Sequence, residues 1–358
     1  MKVLDVNTVS PSENQLKRDT SIDILRFIGL SLIILAHVEP PHFIMELRTF
    51  DVPLMLFVSG LTFFNKKYSF SFQTFIKRCV RLLLPVYIFL TFYFLIIFVL
   101  KALSIETDIT LNKMIESYLL SGGIGYVWII RIFLIIALLT PLLIWLRDKL
   151  TTPQLFLFIS GILLFQDLLI FNKFLLDNII INKFFYYGIG FSIPFLIALK
   201  FPLMSSKWQY ITIGYFIFLF ISDEFIYNKL IKETNFDNSP NQKWVEYNLL
   251  IFNMFKYPPQ SIYLLYGIVG CLITYMIIVK NHFYKYLEIF SFIGCNTIWI
   301  YLYHIPIVRI LRDYNINWGI KYFITYLLAF ILCYFQIKIV EYLENKYNIK
   351  NQLNLFKG

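Results

Sequence analysis

The sequence predicts an all-α membrane protein, a polytopic bundle of about ten transmembrane helices. Of its 358 residues, 58% are hydrophobic and 15% are charged, and the mean hydropathy is +0.67, which excludes an ordinary soluble domain. The hydrophobic runs reach about 20 residues and lack an alternation of apolar and polar residues. Such runs favour helices, because a helix satisfies its own backbone polar groups inside a bilayer.

Ten hydrophobic runs define the predicted helices in chain order. The second run is short and contains Pro53, so we expect that helix to be tilted or broken. The eighth run follows Pro258 and Pro259, as helix starts often do. The runs lie at residues 20–38, 51–65, 82–101, 126–146, 154–171, 184–200, 208–222, 259–279, 289–309 and 319–341.

The distribution of lysine and arginine predicts the topology. The densest basic group lies in one short connection and consists of Lys66, Lys67, Lys77, Arg78 and Arg81. Short basic connections stay in the cytoplasm, so both termini are expected there. The predicted organisation is a cytoplasmic tail at residues 1–19, a membrane domain at 20–345 and a second cytoplasmic tail at 346–358.

The longest connection, from about residue 223 to 258, would then face outward. It mixes charged residues with Trp244 and Tyr247. A lid over a sugar-like substrate and an ordinary surface loop both fit this composition.

Charge and cysteine content narrow the functional classes. The formal net charge is +10, but the basic residues lie between hydrophobic runs, which indicates membrane topology and no nucleic-acid binding. The four cysteines show no metal-ligand spacing and are expected to be small packing residues. The sequence therefore predicts no metal.

Ionisable residues inside the first run are the strongest functional signal. Arg26 and His37 are eleven positions apart, so they lie about 20° apart around the helix and about 16 Å apart along it. Such groups are costly in a membrane unless they face a polar interior. His37 is either a general base or a histidine bonded to a neighbouring helix, and Glu39 lies just above it.

A second cluster contains Lys77, Arg78 and Arg81. The two arginines share a helix face at i and i+3, and their planar donor groups suit phosphate oxygens. The alternative is a positive anchor beside anionic lipid.

A third element is the segment from Asp51 to Gly60. Ser59 and Gly60 either allow close helix packing or present backbone donors to a substrate. A covalent nucleophile at Ser59 has little support, because no strained-turn motif surrounds it.

Further polar residues in or beside hydrophobic runs are candidate substrate or cavity contacts. His304 is a second intramembrane histidine, either structural or in contact with substrate. The remaining candidates are Arg131, Asp167, Lys256 and Tyr257.

These motifs together resemble the acyltransferase 3 family of membrane O-acyltransferases. The resemblance rests on Arg26-x10-His37, the Ser-Ile-Asp-Ile-Leu-Arg entry, the Val-Pro-Leu-Met-Leu-Phe-Val-Ser-Gly segment, and Arg78-x-x-Arg81 followed by a Leu-rich run and Pro85. It is strong over about residues 18–87 and extends more weakly to about 310 through Tyr-Val-Trp, Lys-Tyr-Pro-Pro and Tyr-Leu-Tyr-His.

The resemblance implies a plasma (inner) membrane enzyme with a ten-helix acyltransferase domain. It would take an acyl group, often acetyl, from cytoplasmic acyl-CoA and deliver it to a hydroxyl of a cell-surface or lipid-linked carbohydrate. Arg26 and His37 match the essential arginine and histidine of the family, and Arg78 and Arg81 match its arginine pair. Some relatives carry a fused C-terminal hydrolase-like domain, and here we expect the acceptor chemistry in the membrane domain.

The expected mechanism places the CoA phosphates at Arg78 and Arg81, with His37 deprotonating the acceptor hydroxyl. Arg26 would contact a phosphate or have a structural role, and Glu39 or Asp51 would orient His37. The rival reading is a secondary transporter or flippase for a lipid-linked sugar, although no internal repeat is visible. A sensor or scaffold fits the buried charges poorly. The sequence does not indicate an oligomeric state.

Overall fold

A computed structural model describes residues 19–64, 72–104, 109–170, 181–233, 252–348 and 353–357. Across these ranges the chain is helical and contains no strand, so the predicted all-α class is confirmed. Lys66 and Lys67, the tail before Asp19, and residues 234–251 of the long predicted loop, with Trp244 and Tyr247, lie outside the described residues.

Thirteen α-helices can be traced in those ranges, and each of the ten predicted runs overlaps at least one of them. Short 3-10 or π segments at Ile181–Tyr186, Phe201–Leu203, Phe252–Phe255, Met276–Lys280, Phe283–Phe290 and Asn354–Phe356 flank them. The helices are α1 (Thr20–Ala36), α2 (His42–Leu47), α3 (Asp51–Leu61), α4 (Phe72–Ala102), α5 (Leu111–Tyr118), α6 (Trp128–Lys149), α7 (Thr152–Ile170), α8 (Tyr187–Lys200), α9 (Ser206–Glu233), α10 (Ser261–Tyr275), α11 (Ser291–Cys295), α12 (Thr297–Arg312) and α13 (Trp318–Tyr347).

The number of membrane spans differs from the prediction of about ten. In the described part of the chain, six helices are long and apolar enough to cross a membrane, or seven if a pair bent by 71° at Asn296 is one span. The six are Phe75–Ala102, Trp128–Lys149, Phe184–Leu203, Ser206–Tyr227, Ser261–Lys280 and Trp318–Tyr347.

Helix length explains the difference. Helix α1 has 17 residues and α3 has 11, whereas a span needs about 20. Most of α3 is buried in the protein, including Asp51, Leu54 and Phe57. A hydrophobic run therefore marks a buried helix here as readily as a membrane span.

Helix α3 is continuous through Pro53. The proline lies in the first turn, where its missing N–H costs no helical hydrogen bond. At the other end, a Cβ added to Gly60 would lie 2.6 Å from the carbonyl oxygen of Phe195 on α8. The Ser59-Gly60 pair thus allows α3 and α8 to pack closely.

Helix α1 is surrounded by the elements that carry the other motifs. It packs against α3, α11 and α12. The approach to α11 is close, since a Cβ at Gly294 would lie 1.9 Å from the carbonyl oxygen of Asp23. Both parts of the bent pair, α11 and α12, therefore contact α1.

Candidate functional site

A cavity of about 1000 Å³ lies between α1, α3, α4, α6, α11 and α12. On α1 it is lined by Arg26, Leu30 and Ile33, at positions i, i+4 and i+7 of one helix face. The next position on that face, i+11, is His37. The cavity therefore follows the face that the sequence singled out and approaches His37 to within one turn.

All charged residues of the described chain that line this cavity are cations. Three of them, Lys77, Arg78 and Arg81, come from α4, and they define what we call the arginine end. Arg26 and Lys357 complete the set. A cavity lined by one sign of charge attracts ligands of the opposite sign, so the arginine end suits an anionic group.

Arg78 is held in place by neutral partners. Its Nη2 donates to Ser59 Oγ at 2.9 Å and its Nη1 donates to Thr140 Oγ1 at 3.1 Å. Its guanidinium lies over the ring of Phe63, 4.6 Å from the centroid. Within the described ranges no carboxylate pairs with Arg78, so its charge is oriented and not neutralised.

Arg26 is bound differently. Its Nη1 donates to Asp23 Oδ1 at 2.9 Å, and the side chain is partly exposed to the cavity. The same carboxylate accepts a weak hydrogen bond from Cys295 Sγ at 3.4 Å. Arg26 is thus fixed by its own helix while one side of it faces the cavity.

The other end of the α1 face carries a pair of histidines. His37 Nδ1 lies 3.1 Å from His304 Nε2, and His304 Nδ1 contacts the carbonyl oxygen of Tyr301. A carbonyl oxygen only accepts, so His304 Nδ1 carries a proton and His304 Nε2 accepts a hydrogen bond from the Nδ1–H of His37. In this tautomer His37 Nε2 keeps its lone pair and can act as a base.

Tyrosines enclose the histidine pair. The ring of Tyr126 lies edge-on to His37, with centroids 4.7 Å apart, and also contacts His304. The hydroxyl of Tyr301 donates to the carbonyl oxygen of Tyr126. Tyr301 itself lines the cavity, one turn before His304 on α12. The histidine pair therefore lies directly beyond the inner end of the cavity.

His37 also borders a second, much smaller cavity on the side away from the arginine end. Its volume is about 10 Å³, room for about one water molecule. Glu39 and Arg312 lie at this cavity, with Glu39 Oε1 3.9 Å from Arg312 Nε and both side chains largely exposed. The structure thus places Glu39 in a surface ion pair and pairs His37 Nδ1 with His304, where the sequence suggested Glu39 or Asp51.

Asp51 belongs to a buried cluster of three charges. Arg48 Nη1 donates to Asp51 Oδ2 at 2.8 Å, and Lys256 Nζ donates to Oδ1 at 3.0 Å. Arg48, Asp51 and Lys256 are 4%, 2% and 4% exposed. Burial lowers the pKa of Lys256, and the Asp51 carboxylate opposes that shift. The three side chains carry a net charge of +1 when all of them are ionised, and Arg48 Nε has no partner among the described residues.

Like Asp51, Lys256 and His304, three further predicted contacts do not line either cavity. Arg131 is buried and donates to the carbonyl oxygen of Leu120 at 3.2 Å. Asp167 accepts from the backbone N–H of Ser261 at 3.0 Å, at the first residue of α10. The ring of Tyr257 packs against Trp128, with centroids 5.2 Å apart.

Sequence reasoning missed several residues that the structure brings to the site. Thr140 anchors Arg78, Arg48 shares Asp51, and Lys357 lines the cavity. The contacts of Thr140 and Lys357 join distant parts of the chain, so no local motif signals them, whereas Arg48 lies three positions before Asp51 and that i, i+3 spacing could have been noticed. Among the described residues, no group of three or more His, Cys, Asp or Glu side chains is placed to hold a metal ion.

Comparison with known proteins gives one match. A family model described as an acyltransferase domain, of the acyltransferase 3 type, matches residues 19–336. The matched range begins just before α1 and ends within α13, so it includes both histidines and the arginine pair. No curated protein and no solved structure matches the chain.

Proposed function

We propose a membrane O-acyltransferase activity from one premise: the chain belongs to the acyltransferase 3 family. The activity would move an acyl group, most simply acetyl, from acyl-CoA to a hydroxyl of a carbohydrate or glycolipid. One observation carries the proposal. A single cavity extends from the arginine end along one face of α1 to Ile33 and Tyr301, one turn short of His37 and His304.

The donor fits this cavity by charge and by reach. Arg78, Arg81 and Lys77 supply charge-assisted donors for phosphate oxygens. The rise from Arg26 to His37 is about 16 Å, comparable with an extended pantetheine arm. A CoA thioester with its phosphates at the arginine end can thus present its acyl group near His37.

The chemistry follows from the tautomer of His37. Its Nε2 takes the proton from the acceptor hydroxyl as the oxygen attacks the thioester carbonyl carbon. The tetrahedral intermediate collapses, its C–S bond breaks, and the departing thiolate receives that proton from His37. The products are an ester and free CoA. In this scheme His304 Nε2 accepts a hydrogen bond from His37 Nδ1–H, which leaves the Nε2 atom of His37 unprotonated at the start of the reaction.

The acceptor would reach His37 from the face of Glu39 and Arg312, where His37 borders the small cavity, and the 10 Å³ cavity would have to widen to admit a hydroxyl-bearing sugar. This entry lies opposite the arginine end, so donor and acceptor need not share a path. In this proposal Glu39 forms an ion pair with Arg312 beside the small cavity and takes no part in the catalytic steps.

We infer the orientation from the basic residues: the arginine end and both termini face the cytoplasm, and the chain lies in the plasma (inner) membrane. Single cysteines at positions 77 and 39, in a background without the native cysteines, test this by labelling from each side. Labelling of position 77 only from outside would contradict it.

The transporter or flippase reading remains the rival class, because buried charges also line transport pathways. Mass spectrometry of surface glycans separates the two readings. Cells that express the wild-type chain should gain an acyl mass on a glycan, and cells that express the His37→Ala variant should lack it. Unmodified glycans in both, with an altered distribution of lipid-linked sugar, would favour transport.

A further inference from the structure

The segment Leu353–Lys357 forms part of the wall of the cavity that contains the arginine end. Trp299 Nε1 on α12 donates to the carbonyl oxygen of Leu355 at 3.1 Å, and Gln336 Nε2 on α13 donates to that of Phe356 at 2.7 Å. The Phe356 ring stacks on Trp299, with centroids 5.9 Å apart. The segment is therefore fixed by backbone and ring contacts to two helices.

Glu344 of α13 holds both ends of this segment. Its Oε1 accepts from the backbone N–H of Leu353 at 3.3 Å, and its Oε2 accepts from Lys357 Nζ at 2.5 Å. Glu344 is 5% exposed, whereas Lys357 is partly exposed. The carboxylate thus places the Lys357 ammonium at the boundary between protein and cavity.

The segment also contacts α4, the helix that carries Arg78 and Arg81. Leu355 and Lys357 line the same cavity as those arginines. This part of the chain lies beyond residue 336, where the family match ends. It adds part of the cavity wall and one cation, and both lie outside the range of the family match.

We propose that Lys357 is a further binding residue for the phosphate groups of the donor, and that Glu344 is its positioning residue. The inference rests on the proposed function. An ammonium group has three donors, of which Glu344 uses one, so the others can bind phosphate oxygens.

The spread of charge favours a donor with more than one phosphate group. The five cavity cations come from α1, from α4 and from the segment Leu353–Lys357. A donor with a single phosphate can bind the cations of only one of these three parts of the chain. The nucleotide end of CoA carries phosphates at two places and can bind cations from more than one part. The spread of the cations thus fits the phosphates of CoA, the donor of the proposed function.

Titration calorimetry of the full chain in nanodiscs tests this role, with CoA and with S-acetylpantetheine, which lacks the nucleotide phosphates. Lys357→Ala should weaken CoA binding about tenfold, which corresponds to the loss of one charge-assisted contact. Lys357→Gln removes the charge but can still donate to Glu344, and it should weaken CoA binding similarly. Lys357→Arg should retain most of the affinity.

Lys346→Ala is the matched control, because Lys346 is an exposed lysine near the end of α13 and does not line the cavity. It should bind CoA like the wild type. Equal CoA affinity in Lys357→Gln and wild type would overturn the inference and leave the proposed function standing. If Lys357→Gln weakened the binding of CoA and of S-acetylpantetheine by the same factor, Lys357 would have a purely structural role and the inference would be overturned. Absence of CoA binding by the wild type would remove the proposed function itself, and this inference with it.

Discussion

The Nδ1 atom of His37 lies 3.1 Å from the Nε2 atom of His304, although 267 positions separate the two residues in the chain. The contact of His304 Nδ1 with the carbonyl oxygen of Tyr301 determines which of these nitrogens donates. Because this pairing fixes the tautomer of His37, the two histidines form one functional unit in our account.

The first prediction concerns His304 as a positioning residue. His304→Ala leaves His37 Nδ1–H without an acceptor, so the imidazole loses its fixed tautomer, and kcat should fall at least about tenfold. His304→Gln keeps an acceptor atom and should restore part of the loss. The KM for acyl-CoA should stay near the wild-type value in both variants.

Steady-state kinetics with varied acyl-CoA measure this split between kcat and KM. A purely structural role would lower expression and thermal stability of both variants and leave the glutamine variant no better than the alanine variant. That outcome would separate His304 from the mechanism.

The second prediction concerns the arginine pair. Replacement of Arg78 and Arg81 by alanine removes charge-assisted bonds worth about 1.5–3 kcal/mol each, so acyl-CoA affinity should fall more than tenfold. Lysine should rescue only in part, since it keeps the charge but loses the planar arrangement of donors. Calorimetric titration with acyl-CoA provides the measurement.

Lys207→Ala serves as the control for the arginine pair, because Lys207 is exposed at the start of α9 and lies outside the cavity lining. Equal acyl-CoA affinity in the alanine pair and in this control would reject the phosphate role.

The third prediction distinguishes two roles of Ser59. If Ser59 only anchors Arg78, Ser59→Ala should weaken acyl-CoA binding by a few-fold, the cost of one hydrogen bond of about 1 kcal/mol, and leave kcat near the wild-type value. A covalent nucleophile would instead make kcat collapse. Kinetics of this variant decide between the anchor and the nucleophile.

The fourth prediction concerns the buried charge cluster. Asp51→Asn removes the one carboxylate that is hydrogen-bonded to both Arg48 and Lys256, which should cost about 3–5 kcal/mol of stability. Asp148→Asn is the matched control, because Asp148 also pairs with an arginine, at 2.7 Å, but is 48% exposed. That variant should lose clearly less stability, because Arg147 keeps its hydrogen bonds to the carbonyl oxygens of Phe63 and Phe64.

Thermal unfolding in detergent compares the two variants. The double variant Asp51→Asn with Lys256→Met buries one cation fewer and should recover part of the lost stability. Equal unfolding temperatures for Asp51→Asn and Asp148→Asn would show that the buried cluster carries little stability.

The sequence was sufficient for the fold class and for the resemblance to the family that the match then confirmed. Hydropathy records how apolar a segment is, and this decided the all-helical class. It does not record what surrounds the segment. Helix α3 is buried by α8 and α10, and its 11 residues are too few for a span. The predicted number of spans was too high for this reason.

The same limit applies to the site. His37 and His304 were each recognised as intramembrane histidines, but their pairing depends on how α12 packs against α1. Ser59 meets Arg78 because α3 and α4 both line the cavity. Local spacing therefore identified candidate residues on one helix and could not assign their partners on another.

The fifth prediction tests the central claim, that His37 is the general base of acyl transfer. The measurement is the initial rate of transfer from labelled acetyl-CoA to a glycolipid acceptor, with the full chain in nanodiscs and CoA affinity determined in parallel. His37→Ala and His37→Gln should both lower the rate by at least about 100-fold, since neither side chain can take up the proton. Their CoA affinity should remain unchanged. A rate near that of the wild type in either variant would contradict the account.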